Sequence, residues 1–180
     1  MIKVLDTPIP GLLVLEPVVH GDARGYFCET YNERDLADVL PGVRFVQDNE
    51  SLSRYGVVRG LHFQRAPHAQ AKLVRVALGA VYDVAVDLRP GSPTYGHWYG
   101  VELSAENHLQ LFIPKGFAHG FSVLSEKVLF QYKCDDFYAP EAEAAIAWDD
   151  PDLGIDWKIP AGEVILSEKD RHHPRLSELK

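Results

Sequence analysis

The chain has 180 residues and a mass of 20.2 kDa, and 46% of the residues are hydrophobic, so one core is well supplied and two large domains are disfavoured. The net charge is −8 and the pI is near 5.4, which disfavours binding of nucleic acid because polyanions are repelled. No apolar stretch reaches the roughly 18 to 20 residues that span a bilayer, and the charged opening segment is unlike a signal peptide. We therefore expect a soluble, cytoplasmic protein with one domain over residues 1–180 and no membrane partner.

Most segments between the scattered glycines and prolines alternate with period two, as half-buried strands do. In chain order, strands are predicted within residues 1–15, 73–78, 81–88 and 128–132, with dense turn chemistry at residues 89–93. In the most regular of them, residues 81–88, Tyr82 and Val84 share one face while Asp83 and Asp87 share the other. Several short strands at this spacing predict a sandwich or a barrel.

Helix is scarce in the predicted structure. The best candidate begins at Asn32, a good N-cap, carries Glu33 and Asp35 in its first turn, and ends at Pro41-Gly42. A weaker pattern predicts a short helix or a turn from Ser104. The two cysteines, Cys28 and Cys134, are too few and too far apart for a disulfide or zinc–thiolate framework.

Three segments place polar residues and glycine inside otherwise apolar sequence, namely residues 59–64, 113–121 and 166–170. Taken singly, a histidine or an arginine is more often structural or solvated than functional. The combination is what indicates a functional site.

Seven blocks of the sequence form a more specific pattern, namely Arg24-Gly25 with Phe27 and Glu29, Gln47-Asp48-Asn49, Arg59-Gly60-Leu61-His62, residues 72–76, residues 113–121, Tyr132-Lys133 and residues 166–170. Taken in order, these blocks resemble the dTDP-4-dehydrorhamnose 3,5-epimerase family over nearly the whole chain. The resemblance implies a mostly β, cupin-type double-stranded jelly-roll β-barrel that forms a homodimer. It also implies an enzyme that converts a TDP-linked 4-keto-6-deoxyhexose, dTDP-4-dehydro-6-deoxy-D-glucose, to dTDP-4-dehydro-L-rhamnose in dTDP-L-rhamnose biosynthesis.

Epimerisation next to a ketone needs a base, a group that stabilises the enolate oxygen, and an acid on the opposite face. By resemblance, His62 is the base and Asp170 is the carboxylate that orients it. Lys72 and His119 are implied to lie near the 4-keto oxygen. Tyr132 is implied to return the proton.

The residues alone leave other roles open for these positions. Asp170 could cap a turn, and Lys72 could be an exposed residue at the start of a strand. Period two places Tyr132 on the same face as Val128 and Phe130, which a core tyrosine would also explain. Tyr138 is an alternative for the acid.

The nucleotide needs cations for its diphosphate and polar or aromatic contacts for the rest. Guanidinium groups match phosphate oxygens well, and the resemblance implies Arg24, Arg59 and Lys169 as the cations. The remaining implied contacts are Phe27 against thymine, and Glu29, Gln47, Asp48, Asn49 and Glu143.

The same scaffold also holds metal ions in other cupins, and His62 and His119 fit two of the ligand positions. Lys72, however, stands where the carboxylate ligand would be, and an ammonium group cannot ligate a cation. We therefore predict no metal and no cofactor. His68, His172 and His173 are interpreted as surface histidines.

Arg59 and His62 would point to opposite faces of a regular strand, because an odd number of residues separates them. Both can line one cavity only if the strand is interrupted, and Gly60 is the expected position of a bulge.

Three other functions stay open at this point. One is a relative that epimerises only C3 or only C5, the second is a metal-dependent cupin enzyme, and the third is a sugar-binding cupin without turnover. The apolar segment 1–15 is expected to need a covering partner, and the resemblance implies pairing across a homodimer, through which Arg24 or Glu29 would reach the neighbour's site.

Overall fold

A computed structural model describes residues 2–179 of the chain. The strands are β1 (Lys3–Asp6), β2 (Leu13–Glu16), β3 (Val19–Asp22), β4 (Gly25–Cys28), β5 (Gln47–Arg54), β6 (Val58–Gln64), β7 (Lys72–Leu78), β8 (Ala80–Asp87), β9 (Trp98–Ser104), β10 (Gln110–Ile113), β11 (Phe117–Val123), β12 (Lys127–Cys134) and β13 (Glu143–Ala145). One short helix, α1 (Glu33–Leu36), and 3-10 turns at Pro140–Ala142, Ala161–Glu163, Lys169–Arg171 and Leu176–Glu178 complete the described elements.

Two antiparallel sheets face each other across the main core. One sheet has the order β1-β2-β10-β7-β12-β5 and the other has the order β13-β6-β11-β8-β9, so all neighbours except β1-β2 and β8-β9 are non-consecutive in sequence. The core between them contains Val74 and Phe130 from the first sheet and Val81 and Phe121 from the second. This arrangement confirms the predicted jelly-roll barrel.

The five-stranded sheet is buried on both faces. In β8, Val81 and Ala85 belong to the core inside the barrel, whereas Val84 and Val86 pack outside it against a cluster that includes Trp157 from the C-terminal segment. The alternation predicted for residues 81–88 is therefore confirmed. It also means that Asp83, which shares the inner face, is fully buried.

The helix begins where the sequence predicts but is shorter. The Asn32 side chain accepts a hydrogen bond from the Arg34 backbone N–H, as an N-cap does. The helix ends at Leu36 and not at Pro41-Gly42. The Ala37 and Val39 N–H groups donate to carbonyls three residues back, and a single bond at helical spacing, from the Leu40 N–H to the Leu36 carbonyl, does not extend the helix. The segment from Ser104 is a turn closed by Asn107, so the turn interpretation was correct there.

The N-terminal segment forms two strands within the chain. Strand β1 pairs with β2, and β1 is the outer strand of the six-stranded sheet. Strands β3 and β4 then form a separate hairpin, on which the Phe27 side chain is prominently exposed, at 68%. Met1 lies outside the described residues. Within residues 2–179, no helix has the length and apolar character needed to cross a membrane.

Candidate active site

Strand register points one set of polar side chains into the barrel. Directly paired residues on neighbouring strands have their side chains on the same face of the sheet. Tyr132 pairs with Val74 on one side and with Asn49 on the other, and Lys72 pairs with Cys134. These side chains therefore lie on the inner face of the six-stranded sheet. The inward-facing polar positions predicted from sequence are Gln47, Asn49, Arg59, His62, Lys72, His119, Tyr132 and Glu143.

A bulge at Gly60 allows Arg59 and His62 to face the same cavity. His62 pairs with His119, but Arg59 pairs with Phe121, so three residues of β6 span the length of two residues of β11. Gly60 has a φ of +138°, a conformation that side chains with a Cβ rarely adopt. The predicted interruption of the strand is thus confirmed.

Replacing Gly60 with alanine will destabilise the protein and disrupt this arrangement. The new Cβ would lie 2.6 Å from the Gly120 Cα and 3.1 Å from the His119 carbonyl oxygen, so backbone must move. We expect a loss of about 2–4 kcal/mol in the free energy of unfolding, measured by urea denaturation. Gly162→Ala is the matched control, since its Cβ would meet nothing within 4 Å. Equal stability of the two variants would contradict the role of the bulge.

His62 and Asp170 form a hydrogen-bonded pair at one side of the cavity. The His62 Nε2–H donates to the Asp170 Oδ1 over 2.5 Å, although 108 positions separate the residues in sequence. Burial by itself raises the pKa of the Asp170 carboxyl, but hydrogen bonds from His62 and His173 outweigh burial and lower this pKa to about 2. The carboxylate therefore stays charged, and Nδ1 of His62 is the ring nitrogen left to accept a proton.

His173 is not a surface histidine, contrary to the prediction. Its side chain is only 10% exposed, and its Nε2 lies 3.1 Å from the same Asp170 Oδ1. The 3-10 turn Lys169–Arg171 explains this contact, because it brings residues three positions apart onto one side. His172 points away and is 71% exposed, as predicted, and His68 is partly exposed.

A second histidine–carboxylate pair lies deeper in the barrel. His119 Nε2 is 3.0 Å from both carboxylate oxygens of Asp83. Burial lowers the pKa of His119 and raises that of Asp83, while each partner opposes the shift of the other. Burial also lowers the pKa of Lys72, against the opposing influence of Cys134, Asp83 and Glu143. Register and burial therefore make Lys72 an inward-facing residue and not an exposed residue at a strand start.

Tyr132 comes from the sheet opposite His62. Its face of β12 includes Val128 and Phe130, as predicted, and it packs against the main core. Burial raises the pKa of its hydroxyl, with a smaller opposing effect from Arg59, so the hydroxyl keeps its proton at neutral pH. Tyr138 lies nearer the opening, is more than half exposed, and donates a hydrogen bond to Glu143.

A cavity of about 270 Å³ lies beside the His62–Asp170 pair. Its lining includes Arg59, which donates to the Ser53 hydroxyl, and Glu143, which accepts from the Lys169 ammonium. The hydrogen bond from Lys169 lowers the pKa of Glu143, and Glu143 in turn raises that of Lys169. Two cations thus stand at the mouth of a cavity in a protein of net charge −8, as capture of a small anion requires.

Four predicted site residues do not face the interior of the barrel. Asp48 is on the outer face of β5, where it pairs with Lys133, because period two sends it away from Gln47 and Asn49. Arg24 and Phe27 are exposed on the β3–β4 hairpin, and Glu29 follows the hairpin and accepts from Asn32. In one chain, these residues do not form a site with His62.

Sequence reasoning missed Asp83 and His173 as members of the site. A signal existed for Asp83, since a carboxylate on a strand that is apolar on both faces must be buried and therefore needs a partner. No comparable signal marked His173, which lies in a polar segment near the C-terminus.

Comparisons with known proteins agree with this geometry. The family model described as dTDP-4-dehydrorhamnose 3,5-epimerase matches residues 6–178. The chain is 55% identical over 170 residues to the dTDP-4-dehydrorhamnose 3,5-epimerase of Pseudomonas aeruginosa, covering 94% of this chain and 93% of the relative.

Two solved structures are also similar. The 3,5-epimerase RmlC of Legionella pneumophila, in complex with dTDP-4-keto-L-rhamnose, matches with a TM-score of 0.96 and 48% identity over 100% of this chain and 95% of that one. A double mutant of ChmJ, a 3'-monoepimerase from Streptomyces bikiniensis in complex with dTDP, matches with a TM-score of 0.89 and 34% identity. The match covers 96% of this chain and 86% of that one. A family model that spans nearly the whole chain, and relatives that share about half of its residues, together show that the chain belongs to the dTDP-4-dehydrorhamnose 3,5-epimerase family.

Proposed function

We propose that this chain, acting as one catalytic domain, epimerises C3 and C5 of dTDP-4-dehydro-6-deoxy-D-glucose to give dTDP-4-dehydro-L-rhamnose, a step of dTDP-L-rhamnose biosynthesis. The observation that carries the proposal is the His62–Asp170 pair inside the barrel of a member of this family, with Tyr132 on the facing sheet. Its cytoplasmic location stays a prediction of the sequence.

A base and an acid on opposite sheets suit a reaction that inverts a carbon centre. His62 Nδ1 takes the proton from the carbon next to the ketone, and the C–H electron pair moves into the enolate. Asp170 stabilises the imidazolium that forms. Tyr132 then donates its hydroxyl proton to the other face, and solvent restores both groups. One proton is removed and one is returned at each carbon, so the steps balance without a cofactor.

Lys72 and the His119–Asp83 pair stabilise the negative charge that develops on the oxygen of the enolate. An anionic substrate and the developing oxyanion add negative charge to the cavity, which favours the ammonium form of Lys72. A fixed cation in a water-poor cavity stabilises such charge far more than water does. These three residues come from three different strands, so the barrel holds them in place before substrate arrives.

The cavity mouth suits the diphosphate of a TDP-sugar. Arg59 and Lys169 line the cavity beside His62, and Glu143 holds Lys169 in place. Gln47 and Asn49, which are hydrogen-bonded to each other, are available for polar contacts further along the barrel.

Deuterium exchange tests the proposed reaction. The protein is incubated in D2O with dTDP-4-dehydro-6-deoxy-D-glucose, and incorporation at C3 and C5 is followed by NMR, with the product trapped by a reductase. Exchange at both carbons with formation of the L-lyxo product is expected. Exchange at neither carbon would contradict the proposal.

Exchange at only one carbon would support the single-site alternative. That alternative has a specific basis, because ChmJ shares the fold and is a 3'-monoepimerase. A metal-dependent cupin reaction is less well supported, since the inward-facing side chain next to His119 and Asp83 is that of Lys72 and not that of a further carboxylate. A binding protein without turnover has no use for a base, a buried carboxylate that orients it and an acid on the facing sheet.

We further propose that the chain works as a homodimer in which the β3–β4 hairpin completes the partner's site. The support is that Phe27 and Arg24, both implied to contact nucleotide, are exposed and distant in sequence and sheet from His62. A free outer edge on β1 also needs a cover.

Mixing two inactive variants tests this arrangement. One variant carries His62→Asn and the other carries Arg24→Ala with Phe27→Ala. After the chains are exchanged, a mixed dimer has one site with an intact base and an intact hairpin, so about a quarter of wild-type activity should return. No recovery, or a monomeric mass with full activity in sedimentation, would contradict the proposal.

A further inference from the structure

Two imidazole groups converge on one oxygen of Asp170. His62 Nε2 lies 2.5 Å from the Asp170 Oδ1, and His173 Nε2 lies 3.1 Å from the same atom. The two rings are edge to face, with their centroids 5.7 Å apart and their planes at 88°. The two N–H groups therefore approach Oδ1 from different directions.

We propose that His173 is a positioning residue that fixes the carboxylate of Asp170 for its work on His62. A carboxylate held by one donor can rotate about its terminal torsion, which is a soft coordinate. A second donor on the same oxygen restricts that rotation, so the His62 ring keeps one tautomer and one orientation. This inference rests on the proposed function of His62 as the base.

The surroundings of His173 suit a fixed donor. The side chains of both His173 and Asp170 are at most 10% exposed, so little water competes for the bond. The next residue anchors the segment, because the Pro174 carbonyl accepts a hydrogen bond from the Ala147 N–H over 2.8 Å. On the other side, the Asp170 backbone N–H donates to the Ser167 hydroxyl. Backbone and side chain of Asp170 are thus each held by a neighbour in the C-terminal segment.

The first test compares His173→Gln with His173→Phe. The Gln amide nitrogen can take the place of Nε2 and donate to Asp170, whereas Phe fills the space without a donor. We expect His173→Phe to lower kcat about 10-fold to 100-fold with little change in dTDP affinity, and His173→Gln to recover most of the loss. His172→Phe, next in sequence but exposed, is the matched control and should retain wild-type kcat.

The second test needs no substrate and so is independent of the proposed function. A proton in a hydrogen bond as short as that between His62 and Asp170 gives a separate downfield proton NMR signal. We expect His173→Phe to shift or broaden this signal and His173→Gln to leave it near its wild-type position. Equal signals and equal kcat in wild type and His173→Phe would overturn the proposal, as would a Gln variant no better than Phe. Lack of epimerase activity in the wild type, with the expected NMR shifts, would instead refute the proposed function.

Discussion

Replacing His62 with asparagine will lower kcat for epimerisation by about three orders of magnitude, because a general base contributes factors of that size. Asparagine keeps a polar group of similar position but cannot take a proton at neutral pH. The diphosphate and base of the nucleotide are held by other residues, so the affinity for dTDP should change little. Steady-state kinetics and calorimetric titration with dTDP measure the two quantities.

His97→Asn is the control for this substitution, since His97 is an exposed histidine in the turn between β8 and β9. It should have wild-type kcat and wild-type affinity. If His62→Asn kept more than a tenth of wild-type activity while folded, another group would have to be the base. Deuterium exchange at C3 and C5 should disappear together with turnover.

Replacing Lys72 with methionine should also be severe, with kcat lower by about 100-fold to 1,000-fold. Methionine keeps much of the volume and apolar stem of lysine, and burial already disfavours the charged form of Lys72. The barrel should therefore remain at least as stable as in the wild type. Without the cation, the negative oxygen of the enolate is less stabilised, so kcat should fall much more than the affinity for dTDP.

Lys133→Met is a close control for Lys72→Met. Lys133 lies on the neighbouring strand β12 but on its outer face, where it pairs with Asp48. Its removal should leave kcat unchanged, and thermal unfolding should change little because exposed ion pairs contribute about 0–1 kcal/mol. Equal kinetic effects of the two substitutions would contradict a role of Lys72 at the reacting oxygen.

The sequence predicted those parts of the fold that depend on local pattern. Period two was sufficient to place Tyr132 with Phe130 and to divide the two faces of residues 81–88. The side chain of Asn32 marked the start of the helix, and the odd spacing of Arg59 and His62 required a bulge at Gly60. Each of these features follows from the chemistry of a few neighbouring residues.

The contacts that join distant parts of the chain were beyond such reasoning. No spacing rule connects His62 with Asp170, and only the family resemblance indicated that pair. The contact of His173 depends on how the last segment crosses the barrel, which its polar composition does not reveal. For Asp48 the resemblance misled and the local pattern was right. The resemblance implied all three residues of the block 47–49 as substrate contacts, but the alternation of strand β5 turns Asp48 to the outer face.

The register of the barrel also limits how this enzyme can diversify. One inserted residue before Tyr132 in β12 would turn the Tyr132 side chain outward and bring Lys133 inward, because successive side chains alternate. Gain or loss of single residues in the barrel strands would therefore remove catalytic groups together with stability. Changes of length are compatible with function only in the connections at the mouth, such as residues 135–142 between β12 and β13. Descendants that act on other sugars should differ by substitutions inside the barrel and by insertions only around its opening.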